Sequence, residues 1–204
     1  MNKKTLVIYA HPQTKGNNTL VLEEVEKKLN ARKIEYEVLD LYKMKYDPVL
    51  HEREHYTSSK DNRKITKQNQ QIQEKITNSD RLIFIYPLWW DSMPAILKGF
   101  FDKTLTPGFG YYFKPTGLPL IPAIPVPLLK GKKAVTIVTH GNLGLYYTLV
   151  LGNRGSKIVT KDTLGFMGIK AKFFRITNAS LPIDTKRKRC IKKKVRKAMK
   201  YLYR

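Results

Sequence analysis

The sequence predicts a doubly wound α/β fold, a five-stranded parallel sheet in a three-layer α/β/α arrangement. Three observations carry this reading. Five short, nearly continuous apolar runs rich in β-branched residues have the pattern of strands covered on both faces. Amphipathic segments of helical period alternate with them, as in a doubly wound sheet. The chain has 204 residues and no shift of composition, which suits one domain over 1–204 with one sizeable core.

In chain order, "KTLVIYA" is the first strand, and Leu20 to Leu29 follows as a helix with apolar residues at 21, 22, 25 and 29. "YEVLDLY" from Tyr36 is the second strand. Lys43 to Lys64 is a long polar connection, of the kind that serves as a lid or subunit contact. Ile65 to Ile76 is a Gln-rich amphipathic helix, and "DRLIFIY" from Asp80 is the third strand. Pro94 opens a helix at its permitted first position, running to Thr104. Four prolines between Pro119 and Pro127 exclude a helix there and predict an extended cover. "KKAVTIVTH" and "AKFFRIT" supply strands four and five. The final segment sets Ile191, Val195, Ala198, Met199 and Leu202 at helical spacing, with basic residues around the remainder.

Charge is unevenly placed. Residues 1–102 hold 17 Lys+Arg against 14 Asp+Glu, whereas residues 103–204 hold 22 against only Asp162 and Asp184. Such a field attracts polyanions and phosphorylated ligands, and it also keeps a protein soluble. No zinc knuckle, RNP-like aromatic pattern or GXXG clamp accompanies it, so no specific nucleic-acid partner is expected. The single cysteine, Cys190, excludes an internal disulfide and a cysteine-based metal site, and reads as a half-buried thiol. The apolar run Leu6 to Ala10 is too short for a secretory or membrane-spanning segment, and a cytoplasmic location is expected.

In an open α/β sheet, ligands bind beyond the carboxyl ends of the strands where the strand order reverses. Three loops there stand out. "HPQTKGNNT" brings Gly16 and small polar residues to the start of a helix, which suits an anion cradle or equally N-capping by Asn17, Asn18 or Thr19. "PLWWDSMP" fixes a turn between Pro87 and Pro94, leaving the amides of Leu88 to Asp91 beside the indoles of Trp89 and Trp90. "THGNLGLYY" has glycines at 141 and 144 for close ligand approach, with Thr139, Asn142, Tyr146 and Tyr147 as polar tips; His140 is a candidate proton donor of low weight. No nucleophile–base pair, carboxylate cluster or metal spacing is present in these loops, so no metal is expected. A flat, phosphorylated ligand that brings its own reactivity fits best.

"YPLWWDSMPAILKGFFDK" followed by "GFGYYF", with "HPQTKGNN" and "LLKGKKAVTIVTHG", resembles the flavodoxin-like NAD(P)H dehydrogenase (quinone) family from Lys4 to about Tyr147. The resemblance implies His11, Gly16, Asn17 and Asn18 at the flavin phosphate and Pro87, Leu88, Trp89 and Trp90 along the isoalloxazine edge. Thr139, Gly141 and Asn142 complete the flavin site. It further implies Tyr146 as the tyrosine that stabilises the reduced flavin, and Phe109 and Tyr111 as aromatics of the substrate pocket, often from the second subunit of a homodimer.

The expected activity is ping-pong hydride transfer from NAD(P)H, through one FMN or FAD per chain, to a quinone or similar acceptor. A flavin-bearing regulatory subunit peripherally associated with a membrane transporter, or a non-catalytic polyanion-binding protein of the same fold, is the alternative.

Overall fold

A computed structural model of the chain describes residues 4–55, 65–141, 144–180 and 182–204. Strands β1 (Thr5–Tyr9), β2 (Tyr36–Asp40), β3 (Arg81–Pro87), β6 (Lys133–Thr139) and β7 (Lys170–Ile176) form a parallel sheet in the order β2-β1-β3-β6-β7. All five apolar runs are therefore strands. The chain winds outward one way from β1 to β2 and the other way through β3, β6 and β7. That places the switch point between β1 and β3, at their carboxyl ends.

Side chains alternate across this sheet with a period of two. Leu6, Ile8, Leu82, Phe84 and Tyr86 enter a core closed by α2 (Lys67–Thr77), α3 (Ala95–Thr104) and the stretch from α5 (Arg154–Lys157) through the π-helical turn Ile158–Thr163. Val7, Tyr9, Ile83 and Ile85 enter a second core closed by α1 (Asn17–Asn30) and α6 (Thr185–Leu202). Ile191, Val195, Ala198, Met199 and Leu202 are all buried there, as their spacing predicts. Arg81 Nε donates to the Leu202 carbonyl at 2.9 Å and fastens the end of α6 to the sheet. Cys190 is half-buried on the flank of that helix. Among the described residues no helix is long and apolar enough to cross a membrane.

Three details differ from the sequence reading. Pro94 is the N-cap of α3, with ψ of 147°, and Ala95 is the first helical residue. The proline-rich segment is a β-hairpin, β4 (Tyr111–Leu118) against β5 (Ile121–Pro127). Both strands of a two-stranded sheet are edges, where prolines cost no ladder bond. Within the chain the hairpin is largely exposed and Leu120 stands free at its tip. In the long polar connection, residues 47–54 are clamped on α3: buried Lys103 Nζ lies 3.2 Å from Asp47 and from Glu54, and donates to the Val49 carbonyl at 2.8 Å. A Cβ at Gly99 would come within 2.1 Å of the Pro48 carbonyl oxygen, so glycine permits this contact. Residues 56–64 of that connection lie outside the described residues.

Candidate functional site

The first loop leaves β1 at His11 and enters α1 at Gly16, whose φ of +135° only glycine adopts readily. No side chain caps α1. Asn17 instead donates to the Ala179 carbonyl at 2.9 Å and accepts from Arg187 Nε at 2.7 Å, while Asn18 Nδ2 lies 3.0 Å from Thr139 Oγ1. N-capping by these residues is thereby ruled out. The first-turn amides of a 14-residue helix are left facing a cavity of about 340 Å³.

The second loop is a tight turn. Trp89 and Ser92 exchange backbone hydrogen bonds at 3.0 and 2.9 Å, and Trp90 and Asp91 between them have φ of +52° and +56°. Positive φ at both central residues is the sign pattern of a type I′ turn, and for these residue types it costs on the order of 1–3 kcal/mol each. This turn holds Trp90 fully in solvent and leaves Trp89 43% exposed. The amides of Leu88 and Trp89 are not available to a ligand as expected from sequence, because Leu88 N–H donates to the Thr139 carbonyl at 2.7 Å and Trp89 N–H to Ser92.

The third loop continues β6. His140 is held at both backbone ends, donating to the Ile176 carbonyl at 3.2 Å and accepting from Ala179 N–H at 2.9 Å. Its ring stacks on Tyr147, with centroids 4.6 Å apart and planes 25° apart. Gly144 does not serve ligand approach: a Cβ there would lie 2.8 Å from Thr177 Cγ2, so it lets α4 (Gly144–Leu149) sit close to the end of β7. Gly141 has room for a Cβ, whose nearest neighbour would be Ser180 Oγ at 3.7 Å.

The three loops enclose one groove. A second cavity, of about 760 Å³, is lined by Trp90, Asp91, Tyr146, Tyr147 and Leu151. It shares Leu88, Trp89, His140 and Gly141 with the smaller one. His11, Gly16, Asn17, Asn18, Pro87 and Thr139 line the smaller part. Asn142 lies outside the described residues. Phe109 and Tyr111 are not brought to the groove of their own chain. Phe109 lines a depression beside Gln70 and Gln73 of α2, and Tyr111 packs edge-on against Phe166 at 4.9 Å.

Gln13 of the first loop also lines the smaller part, while Ser180 and Leu151 line the groove and Arg187 holds Asn17 without a local sequence signal, since their roles depend on contacts far along the chain. Burial, with Asp91 nearby, pushes the Tyr147 phenol up to about 12. The Arg175 guanidinium sits 5.0 Å from the centroid of the Tyr147 ring. Among the described residues no group of histidine, cysteine or acidic side chains is placed to hold a metal ion. The arrangement suits a long, flat, anionic ligand: helix amides at one end, exposed aromatic surface at the other.

The profile of a protein family described as having a flavodoxin-like fold matches residues 3–202. An NAD(P)H oxidoreductase of Haemophilus influenzae is 28% identical over 188 residues, covering 91% of this chain and 89% of that one. Human ribosyldihydronicotinamide dehydrogenase [quinone] is 30% identical over 190 residues, 82% of this chain and 78% of its own. Among solved structures, the NAD(P)H:quinone oxidoreductase from Methanothermobacter marburgensis superposes with a TM-score of 0.81 at 25% identity, over 100% of this chain and 98% of that one.

Proposed function

The chain belongs to the flavodoxin-like family of NAD(P)H dehydrogenases (quinone), and on that premise we propose that it is a flavin-dependent oxidoreductase acting between NAD(P)H and a quinone or similar flat acceptor. A bound flavin would supply the redox chemistry, taking hydride from the nicotinamide and delivering it to the acceptor. The observation that carries the reading is the continuous groove at the β1/β3 switch point, running from the uncapped end of α1 to the Trp89–Trp90 turn.

The chain's own residues have separable tasks. The first-turn amides of α1 and the fixed cation of Arg187 attract a phosphate. The Asn18–Thr139 hydrogen bond holds the first loop against the third. Trp89, Trp90 and Tyr146 offer flat surface against which a ring system and then its substrate can lie. Gly141 lines both parts of the groove, and its backbone amide is the donor in this reading for negative charge that develops on the ligand. Phe109 and Tyr111 reach substrate only from a second copy, so the active unit in this reading is a homodimer.

Donor and acceptor occupy the same space in turn. Initial rates at varied NAD(P)H and quinone should therefore give parallel double-reciprocal lines. Intersecting lines would show both bound together and remove the ping-pong scheme.

A further inference from the structure

The outer face of α6 is uniformly basic. Residues 185–204 hold eleven Lys+Arg and no Asp or Glu, and nine of the eleven are exposed. Like charges four residues apart face one another along the helix, Arg189 with Lys193, Lys193 with Lys197, Lys192 with Arg196 and Arg196 with Lys200, and each such pair is destabilising. Beyond the N-cap Asp184, no acidic residue in the first turn complements the helix dipole. Among the described residues no cation of α6 is held in an ion pair, whereas on neighbouring α1 Lys28 meets Glu24 at 3.3 Å. We propose that this face is a docking surface for an anionic lipid bilayer.

The helix is 18 residues long, about 27 Å, and its apolar stripe is turned inward and buried against the sheet, so the cations share the solvent side. Lys188 and Lys192 border a depression with Glu23 and Glu24 of α1. Arg189, Lys193, Lys197 and Lys200 form the outermost stripe, opposite the buried one and clear of that depression. Lys172 of the edge strand β7 widens the patch, its Nζ lying 5.5 Å from the centroid of the Tyr201 ring. What this face lacks decides the chemistry of the partner. Single-stranded nucleic acid is held in a groove whose aromatic rings stack on the bases. Here Tyr201 is half-buried beside Lys133 and Lys172, and none of the large apolar side chains exposed among the described residues lies on α6. A bilayer of anionic headgroups asks only for clustered cations on an outward helix face, each adding attraction within a Debye length of the surface. With nothing apolar on α6 to insert, the hold is electrostatic and the protein rests on the headgroups.

The test is co-sedimentation of the full chain with vesicles of phosphatidylcholine alone, or of phosphatidylcholine with about one third phosphatidylglycerol. At about 0.1 M salt the protein should pellet with the anionic vesicles and stay in solution with the neutral ones. It should be released towards about 1 M salt, as the Debye length falls from about 10 Å to about 3 Å. Equal binding to both kinds of vesicle, or to neither, would overturn the proposal. The combined variant Arg189→Gln, Lys193→Gln, Lys197→Gln, Lys200→Gln should partition onto anionic vesicles about 100-fold less or weaker still, at an unchanged or higher melting temperature because like charges are removed. Undiminished partitioning of the folded variant would equally overturn it. Duplex DNA is the last arm: added at equal phosphate concentration it should leave the protein on the vesicles, and transfer to the DNA would replace the lipid with a nucleic-acid backbone as the partner. None of these readouts uses flavin or NAD(P)H, so a failure here and a failure of the proposed activity are separate results.

Discussion

Asn18 and Thr139, 121 residues apart, meet at 3.0 Å across the carboxyl ends of β1 and β6, both buried. This hydrogen bond joins the loop that would hold a phosphate to the loop that carries His140. Asn18→Ala leaves the Thr139 hydroxyl without this partner, at a cost of about 1–3 kcal/mol of stability. Chemical denaturation should show that loss, and flavin affinity should fall with it. A variant of full stability would mean that the two loops are held together by other contacts.

Trp90 separates stability from binding. Its side chain is fully exposed on a backbone of positive φ, which suits glycine better than any other residue. Trp90→Gly should therefore raise stability, by about 1 kcal/mol, while weakening flavin binding or turnover. Thermal melts and a flavin titration on the same sample check both halves. Unaltered flavin affinity and turnover would take Trp90 out of the site.

Gly155 supports the same turn from behind. A Cβ there would fall 2.1 Å from the Asp91 carbonyl oxygen. Gly155→Ala should push the Trp90–Asp91 turn outward, lower stability by about 1–3 kcal/mol and reduce flavin binding. Denaturation and flavin titration measure the two effects, and an unchanged denaturation midpoint would show that α5 can withdraw at little cost.

The pH dependence of stability should be one-sided. Burial pushes the phenols of Tyr46 and Tyr147 up to about 12, and raises those of Tyr9, Tyr86 and Tyr203 as well. A phenol raised in the folded state contributes stability that is complete below the ordinary value of 10.0 and is lost as pH rises towards 12. Denaturation midpoints should stay level approaching pH 10 and then drop, with tyrosinate absorbance appearing as the protein unfolds. Ionisation of all the tyrosines in the still-folded protein near pH 10, the buried ones together with exposed ones such as Tyr112 and Tyr146, would contradict the burial of these rings.

The strands and the buried stripe of α6 were legible because burial on two faces of a sheet, or on one face of a helix, writes its period into neighbouring residues. The β4–β5 hairpin was not, because prolines that exclude a helix also argue against a strand unless it is known to be an edge. The Trp90–Asp91 turn was hidden for a different reason. A Trp-Asp pair carries no left-handed signature of the kind Asn-Gly does, and the strain is tolerated because Ser92, α5 and the end of β6 hold the turn from outside. The three loops could be placed at one edge from sequence alone, since topology brings the carboxyl ends of the strands together. That Arg187 reaches Asn17 from 170 residues away could not, because nothing local records such a contact.

In this reading the groove holds one flavin per chain. Titrating the purified protein with FMN, and separately with FAD, while following tryptophan fluorescence and flavin absorbance tests it most directly. One of the two should bind with a stoichiometry of one per chain, quench the Trp89 and Trp90 emission, and bleach when NAD(P)H is added without oxygen. If neither flavin binds, the groove serves another ligand and the proposed activity is wrong.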